Sequence, residues 1–171
     1  RPPISTLFPY TTLFRSHLPL DMHEEVGNNV GLANILGLKI QKPFGNYHNL
    51  KIGFQAVPSA PVLREDVVKK LDDLLNTKSQ VLPFGPQKIK RIGIVSGGGA
   101  FEIDLAAKKK LDLLITGEIG HANYHQAKEL RINVIASGHY ATETLGVKTL
   151  GKHLQEKFGI KHLFLDHPTG Y

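Results

Sequence analysis

Ile89-Lys90-Arg91-Ile92-Gly93-Ile94-Val95, running straight into Ser96-Gly97-Gly98-Gly99-Ala100, is the stretch that decides the fold. A short apolar run rich in β-branched residues reads as a buried strand, and the run of small residues after it reads as the turn at its exit. Working downstream, the pattern predicts a helix over 101–110, a strand over 111–116, a helix over 121–130, a strand over 133–137, a helix over 142–157 and a last strand over 162–166. Apolar strands alternating with helices of this length make βαβ units, so the chain is expected to be an α/β protein with a parallel or mixed sheet. Crossovers of one hand bring the strand exits to one sheet edge, where open α/β sheets keep their sites. That edge should carry Ser96–Gly99, Thr116-Gly117-Glu118 and Gly138-His139.

Upstream the signals are softer. Residues 21–38 place acids first, apolar residues at Val30, Ala33, Ile35 and Leu36, and Gly37 at the end, which predicts one helix with an acidic start. Residues 39–62 mix Pro, Gly and Asn and read as a loop with one or two strands, a hinge between lobes. Residues 64–75 put Val67, Val68, Leu71, Leu74 and Leu75 on one face and Glu65, Asp66, Asp72 and Asp73 on the other, an amphipathic helix.

Composition narrows the class. The 171 residues contain no Cys and no Trp and carry a net charge of +6. Without Cys there is no disulfide framework, no zinc finger and no thiol nucleophile. The apolar runs fall far short of the roughly 20 residues a membrane helix needs, and no DNA-binding signature is present; the expected location is the cytoplasm, although the absence of Cys fits any compartment. Residues 1–16 are a case apart: Thr6 to Ser16 is the in-frame translation of a common sequencing-library adapter, and the segment is expected to be foreign to the fold. Setting it aside removes Arg1 and Arg15 and no acid, which leaves only a mild basic excess.

Several residues could carry chemistry. His139 and Glu143 are four apart where a strand exit enters a helix, so both can face one point; His17 and Asp21 repeat that spacing. Two imidazoles and two carboxylates without a thiolate suit a divalent ion such as zinc, manganese, iron, cobalt or nickel, and a carboxylate can bridge two ions. With nine His in the chain, chance pairs of this spacing are the competing explanation. Glu118 at a strand exit suits a general base, a partner that orients a ligating His, or a carboxylate favoured by a helix start. Ser96–Gly99 is either a phosphate cradle or a tight turn that needs positive φ. His121 and His125 have ligand spacing on what reads as a solvated helix face. His23, His48, His153 and His162 receive no role.

His17-Leu18-Pro19-Leu20-Asp21 leading to Gly27-Asn28-Asn29, then Ser96–Gly99, Ile115-Thr116-Gly117-Glu118 and Gly138-His139-Tyr140-Ala141-Thr142-Glu143 occur in that order. In this combination the chain resembles the GTP cyclohydrolase 1 type 2 homologs, the Nif-three-like proteins, over 17–171. The resemblance implies two similar α/β lobes, a hexameric ring, and two divalent metal ions per subunit held between the lobes by His17, Asp21, His139 and Glu143, with Glu118 close by to handle protons. It implies a metal-dependent hydrolase acting on a nucleotide-like or phosphorylated small molecule; the alternative is a metal-binding regulatory or interaction scaffold without catalysis. The short 39–88 connection resembles the compact members. One departure stands out: members carry two adjacent His upstream of the His-Leu-Pro-Leu-Asp motif, and no adjacent His pair occurs in this sequence. The expectation is an N-terminally truncated fragment with weakened metal binding and little or no activity.

Overall fold

A computed structural model describes residues 18–169, so the expectations for 1–16 and for His17 lie outside the described residues. A helical turn over 18–22 comes first, then helix α1 (Asn28–Leu36). An antiparallel hairpin follows, β1 (Lys39–Phe44) and β2 (Gly53–Val57). Next come β3 (Val62–Leu63), α2 (Arg64–Leu75), β4 (Gln80–Pro83) and β5 (Lys88–Ile89). The second half contains β6 (Ile92–Ile94), a 3₁₀ turn (Gly99–Glu102), α3 (Ile103–Lys108), β7 (Leu113–Thr116), α4 (His121–Leu130), β8 (Asn133–Ala136) and α5 (His139–Phe158).

Six strands form one sheet in the order β1-β2-β6-β7-β8-β4, and β3 pairs with β5 in a separate small ribbon. The centre β6-β7-β8 is parallel, and both flanks are antiparallel. The sheet is therefore mixed, with βαβ units at its heart. The central strands alternate between two cores, as a sheet covered on both faces must. Ile92, Ile94, Leu113, Ile115 and Ile135 pack with Leu32 and Leu36 of α1 and Val67 and Leu71 of α2. Leu114 and Val134 pack on the other face with Ile103 and Ala106 of α3 and Ala127 of α4. Truncating a side chain as buried as Leu32 or Leu71 to Ala costs roughly 2–5 kcal/mol.

Three local expectations change. The single helix over 21–38 divides: the chain turns at 24–26, and Glu24 and Glu25 lie in that turn outside α1, whose first turn holds no acid. His23 makes the break, its Nδ1 accepting the N–H groups of Glu25 (3.1 Å) and Val26 (3.3 Å), so it has a capping role. The strand over 89–95 is also two, because Asp112 Oδ2 takes the N–H groups of Lys90 and Arg91, both at 2.9 Å, out of the ladder. The strand expected over 162–166 does not form. A strand needs a ladder partner, and the tail instead lies against α5, with the Tyr140 hydroxyl donating to Asp166 Oδ1 (2.8 Å), His167 N–H donating to that hydroxyl (2.7 Å), and Lys148 Nζ 4.5 Å from the Phe164 ring centroid.

Candidate functional site

The parallel register brings the exits of β6, β7 and β8 to one edge, as the sequence predicts. Main-chain bonds lock them side by side: Gly117 N–H donates to Gly97 O and Gly138 N–H to Gly117 O, both at 2.8 Å. On β6's other side, the pairs Phe54–Ile94 and Phe44–Gly53 carry the β1–β2 loop to the same edge.

Asp21 is buried beneath this edge. Its Oδ1 accepts from Asn28 Nδ2 (2.7 Å) and from Ser96 Oγ (3.0 Å). Asn28 Oδ1 in turn accepts the Gly146 N–H of α5 (2.6 Å). Asn29 bonds Asp21 O and Ile52 O through Nδ2, at 3.0 and 2.7 Å, and accepts the Ser96 N–H at 2.7 Å. The two Asn at the start of α1 therefore tie Asp21, β2, the Ser96 turn and α5 into one unit. The quoted motif contains both residues, but spacing alone assigns them no task; a buried polar pair at the start of the helix is the available signal.

Opposite Asp21 stand His139, Glu143 and Glu118. His139 Nδ1 is 3.2 Å from Glu118 Oε2 and its Nε2 is 3.2 Å from Glu143 Oε1. The side chains of His139, Glu118 and Glu143 are 38%, 57% and 18% exposed. Asp21, His139 and Glu143 line one open cavity of about 360 Å³. The structure thus brings four of the five expected site residues to one edge, three of them around a single cavity.

Gly97 makes this approach possible. Its φ is +59°, and a Cβ there would run into Glu143 Oε1 and lie 3.0 Å from His139 Nε2. Two of the four N–H groups of this turn are already used: Ser96 N–H donates to Asn29 Oδ1, and Gly97 N–H to Thr142 Oγ1 at 3.1 Å. His121 and His125 lie on an exposed face of α4 with their rings 6.0 Å apart, and neither lines that cavity.

Among the described residues, no group of three or more His, Asp or Glu side chains forms a ready metal cage. The donor chemistry nevertheless fits a divalent ion. A neutral imidazole has one N–H and one lone pair, and here both ring nitrogens face carboxylate oxygens. If Nδ1–H donates to Glu118, the Nε2 lone pair is left toward Glu143, an arrangement that either a proton or a bound cation relieves. A ligating His commonly gives its second N–H to a carboxylate in this way.

The class these features define is a mixed α/β protein with a His–carboxylate cluster at the C-terminal edge of its parallel strands. Residues 10–170 match the family Duf34/NIF3 (NGG1p interacting factor 3), and the chain belongs to it. A Pyrococcus horikoshii protein named GTP cyclohydrolase 1 type 2 homolog is 51% identical over 162 residues, covering 92% of this chain and 63% of its own length. The protein of that name from Archaeoglobus fulgidus is 41% identical over 158 residues, covering 92% and 62%. The solved structure of protein ybgI, of unknown function, superposes with a TM-score of 0.83 at 32% identity over 90% of this chain and 60% of its own. A second solved structure, TTHA1606 from Thermus thermophilus, does so with a TM-score of 0.79 at 39% identity over 91% and 60%. The chain spans less than two thirds of the length of these relatives. No helix among the described residues is long and apolar enough to cross a membrane.

Proposed function

We propose that this protein holds divalent metal ions, two per subunit, through Asp21, His139 and Glu143 together with His17, and hydrolyses a nucleotide-like or phosphorylated small molecule. The observation that carries the reading is His139, set 3.2 Å from a carboxylate on each side and facing the cavity that Asp21 lines. When bound, such ions supply Lewis acidity, polarising a substrate oxygen and making water nucleophilic at neutral pH.

The chain's own residues do the rest. Glu118 accepts the Nδ1 proton of His139 and so fixes which tautomer faces the cavity. More than half exposed and beside the cluster, Glu118 is also placed to take a proton from an attacking water. Asn28 and Ser96 fix the direction of the Asp21 carboxylate. The name borne by the curated relatives points toward a purine nucleotide. A hexameric ring in the cytoplasm belongs to the same reading.

A metal-binding scaffold without turnover is the second reading. The family's description refers to an interacting factor, and Leu163 and Leu165 of the tail are strongly exposed. A panel of nucleotides and phosphate esters, assayed with added manganese or zinc on this chain and on the longer Pyrococcus horikoshii relative, separates the two. The hydrolase reading predicts turnover that Glu118→Gln reduces by roughly 100-fold or more while metal uptake is kept. Uptake without turnover on any member of the panel favours the scaffold.

A further inference from the structure

The same cavity has a second chemical character at its mouth. Tyr47 and Phe101 line it together with Asp21, His139 and Glu143. The two residues are 39% and 50% exposed, with ring centroids 6.1 Å apart and planes tilted by 50°. Two aromatic rings at the rim of a cavity floored by carboxylates and an imidazole are not explained by metal binding.

Both rings are held in place. Tyr47 and Leu50 exchange N–H···O bonds at 2.9 Å in each direction, and His48 and Asn49 between them have φ of +47° and +66°. Positive φ at both central residues of a two-residue hairpin tip marks a type I′ turn. The base of the hairpin is anchored by Glu102, whose buried carboxylate accepts the N–H of Asn46. Burial pushes the Glu102 carboxyl above its ordinary range, against the pull of that N–H and of Lys51. Glu102 adjoins Phe101 in the 3₁₀ turn that leaves Gly99. One turn therefore presents Phe101 and fastens the hairpin that presents Tyr47.

We infer that Tyr47 and Phe101 form a subsite for a flat heteroaromatic ring, with the ring packed at the aromatic lip and the polar remainder of the ligand directed toward His139 and Glu143. The inference rests on the hydrolase reading for the identity of that remainder, and it narrows the substrate to molecules carrying such a ring. A cavity of about 360 Å³ falls in the size range of small-molecule sites and suits a nucleoside. Exposed aromatic side chains are the usual platform for a base, because every base offers a π-face whatever its hydrogen-bonding edge.

Saturation-transfer NMR and calorimetric titration of the purified chain test this, with guanosine as the ring probe and ribose 5-phosphate as the probe without a ring. The expected result is saturation of the guanine proton and binding that weakens about 5- to 100-fold in Phe101→Leu and in Tyr47→Leu. Tyr47→Phe and Phe101→Tyr, which keep the rings, should bind as the parent does, and ribose 5-phosphate should be indifferent to all four changes. No guanosine binding by the parent, or equal binding by the Leu variants, overturns the subsite. Metal uptake measured on the same samples keeps the two ideas apart: uptake without ring binding sinks the subsite alone, and ring binding without uptake sinks the metal reading alone.

Discussion

The two ends of the parallel strands use buried polar residues in opposite ways. At the N-terminal end, Asn133 makes four bonds: Oδ1 accepts from Arg64 Nη1 and Gly85 N–H, both at 3.1 Å, and Nδ2 donates to Pro86 O (2.7 Å) and Asp112 O (2.9 Å). Asp112 beside it caps two main-chain N–H groups. Every contact there closes a loop. At the C-terminal end, Asn28 and Asn29 perform the same stitching, but the wall opposite them sets His139 between two carboxylates in the open. One end spends its polar groups on its own backbone and on Arg64. The other leaves an imidazole and two carboxylates facing an open edge, and this contrast is what makes it the candidate site.

Breaking the stitched end should have the largest effect on folding. Asn133→Ala removes four part-buried hydrogen bonds at once, and urea unfolding should show a loss of roughly 3 kcal/mol. Gly97→Ala comes next: strain at positive φ and the collision with Glu143 together should cost about 2 kcal/mol or more by the same measurement. His139→Ala sharpens the comparison from the other side. The residue is partly exposed and its contacts are to carboxylates, so stability should change by no more than about 0.5 kcal/mol. A large loss there would mean that His139 is a structural residue like Asn133.

The smallest effect concerns Glu102. Burial raises its folded-state pKa, so the native state holds the proton over a range where the unfolded chain has lost it. Stability contributed by the protonated group is complete below the unfolded carboxylate pKa and is lost as pH rises through the raised folded value. Glu102→Gln should therefore gain in melting temperature relative to the parent as pH rises above the carboxylate range. A gap independent of pH would contradict the assignment.

The central βαβ units and the edge that gathers Glu118, His139 and Glu143 were legible because periodicity is a local signal and parallel topology then leaves little choice. The missed features depend on distant partners. Strand β4 ends in Pro83 and gains its identity only by pairing along β8, an edge position where Pro is tolerated. The alternation over 162–166 is strand-like, yet no described strand lies beside it, and Tyr140 and Lys148 hold the tail on a helix instead. Glu102 receives no role from the sequence, since nothing local reveals that the Asn46 N–H, far back in the chain, closes over it. Asp21 was legible as a candidate ligand, but the Asn28 and Ser96 contacts that orient it were not.

The most direct test is equilibrium dialysis of the purified chain against micromolar zinc or manganese, with metal content read by plasma mass spectrometry for the parent and for His139→Ala. The account predicts uptake by the parent that falls at least about tenfold in a variant that remains fully folded. Equal uptake by both, or none by the parent, would contradict it.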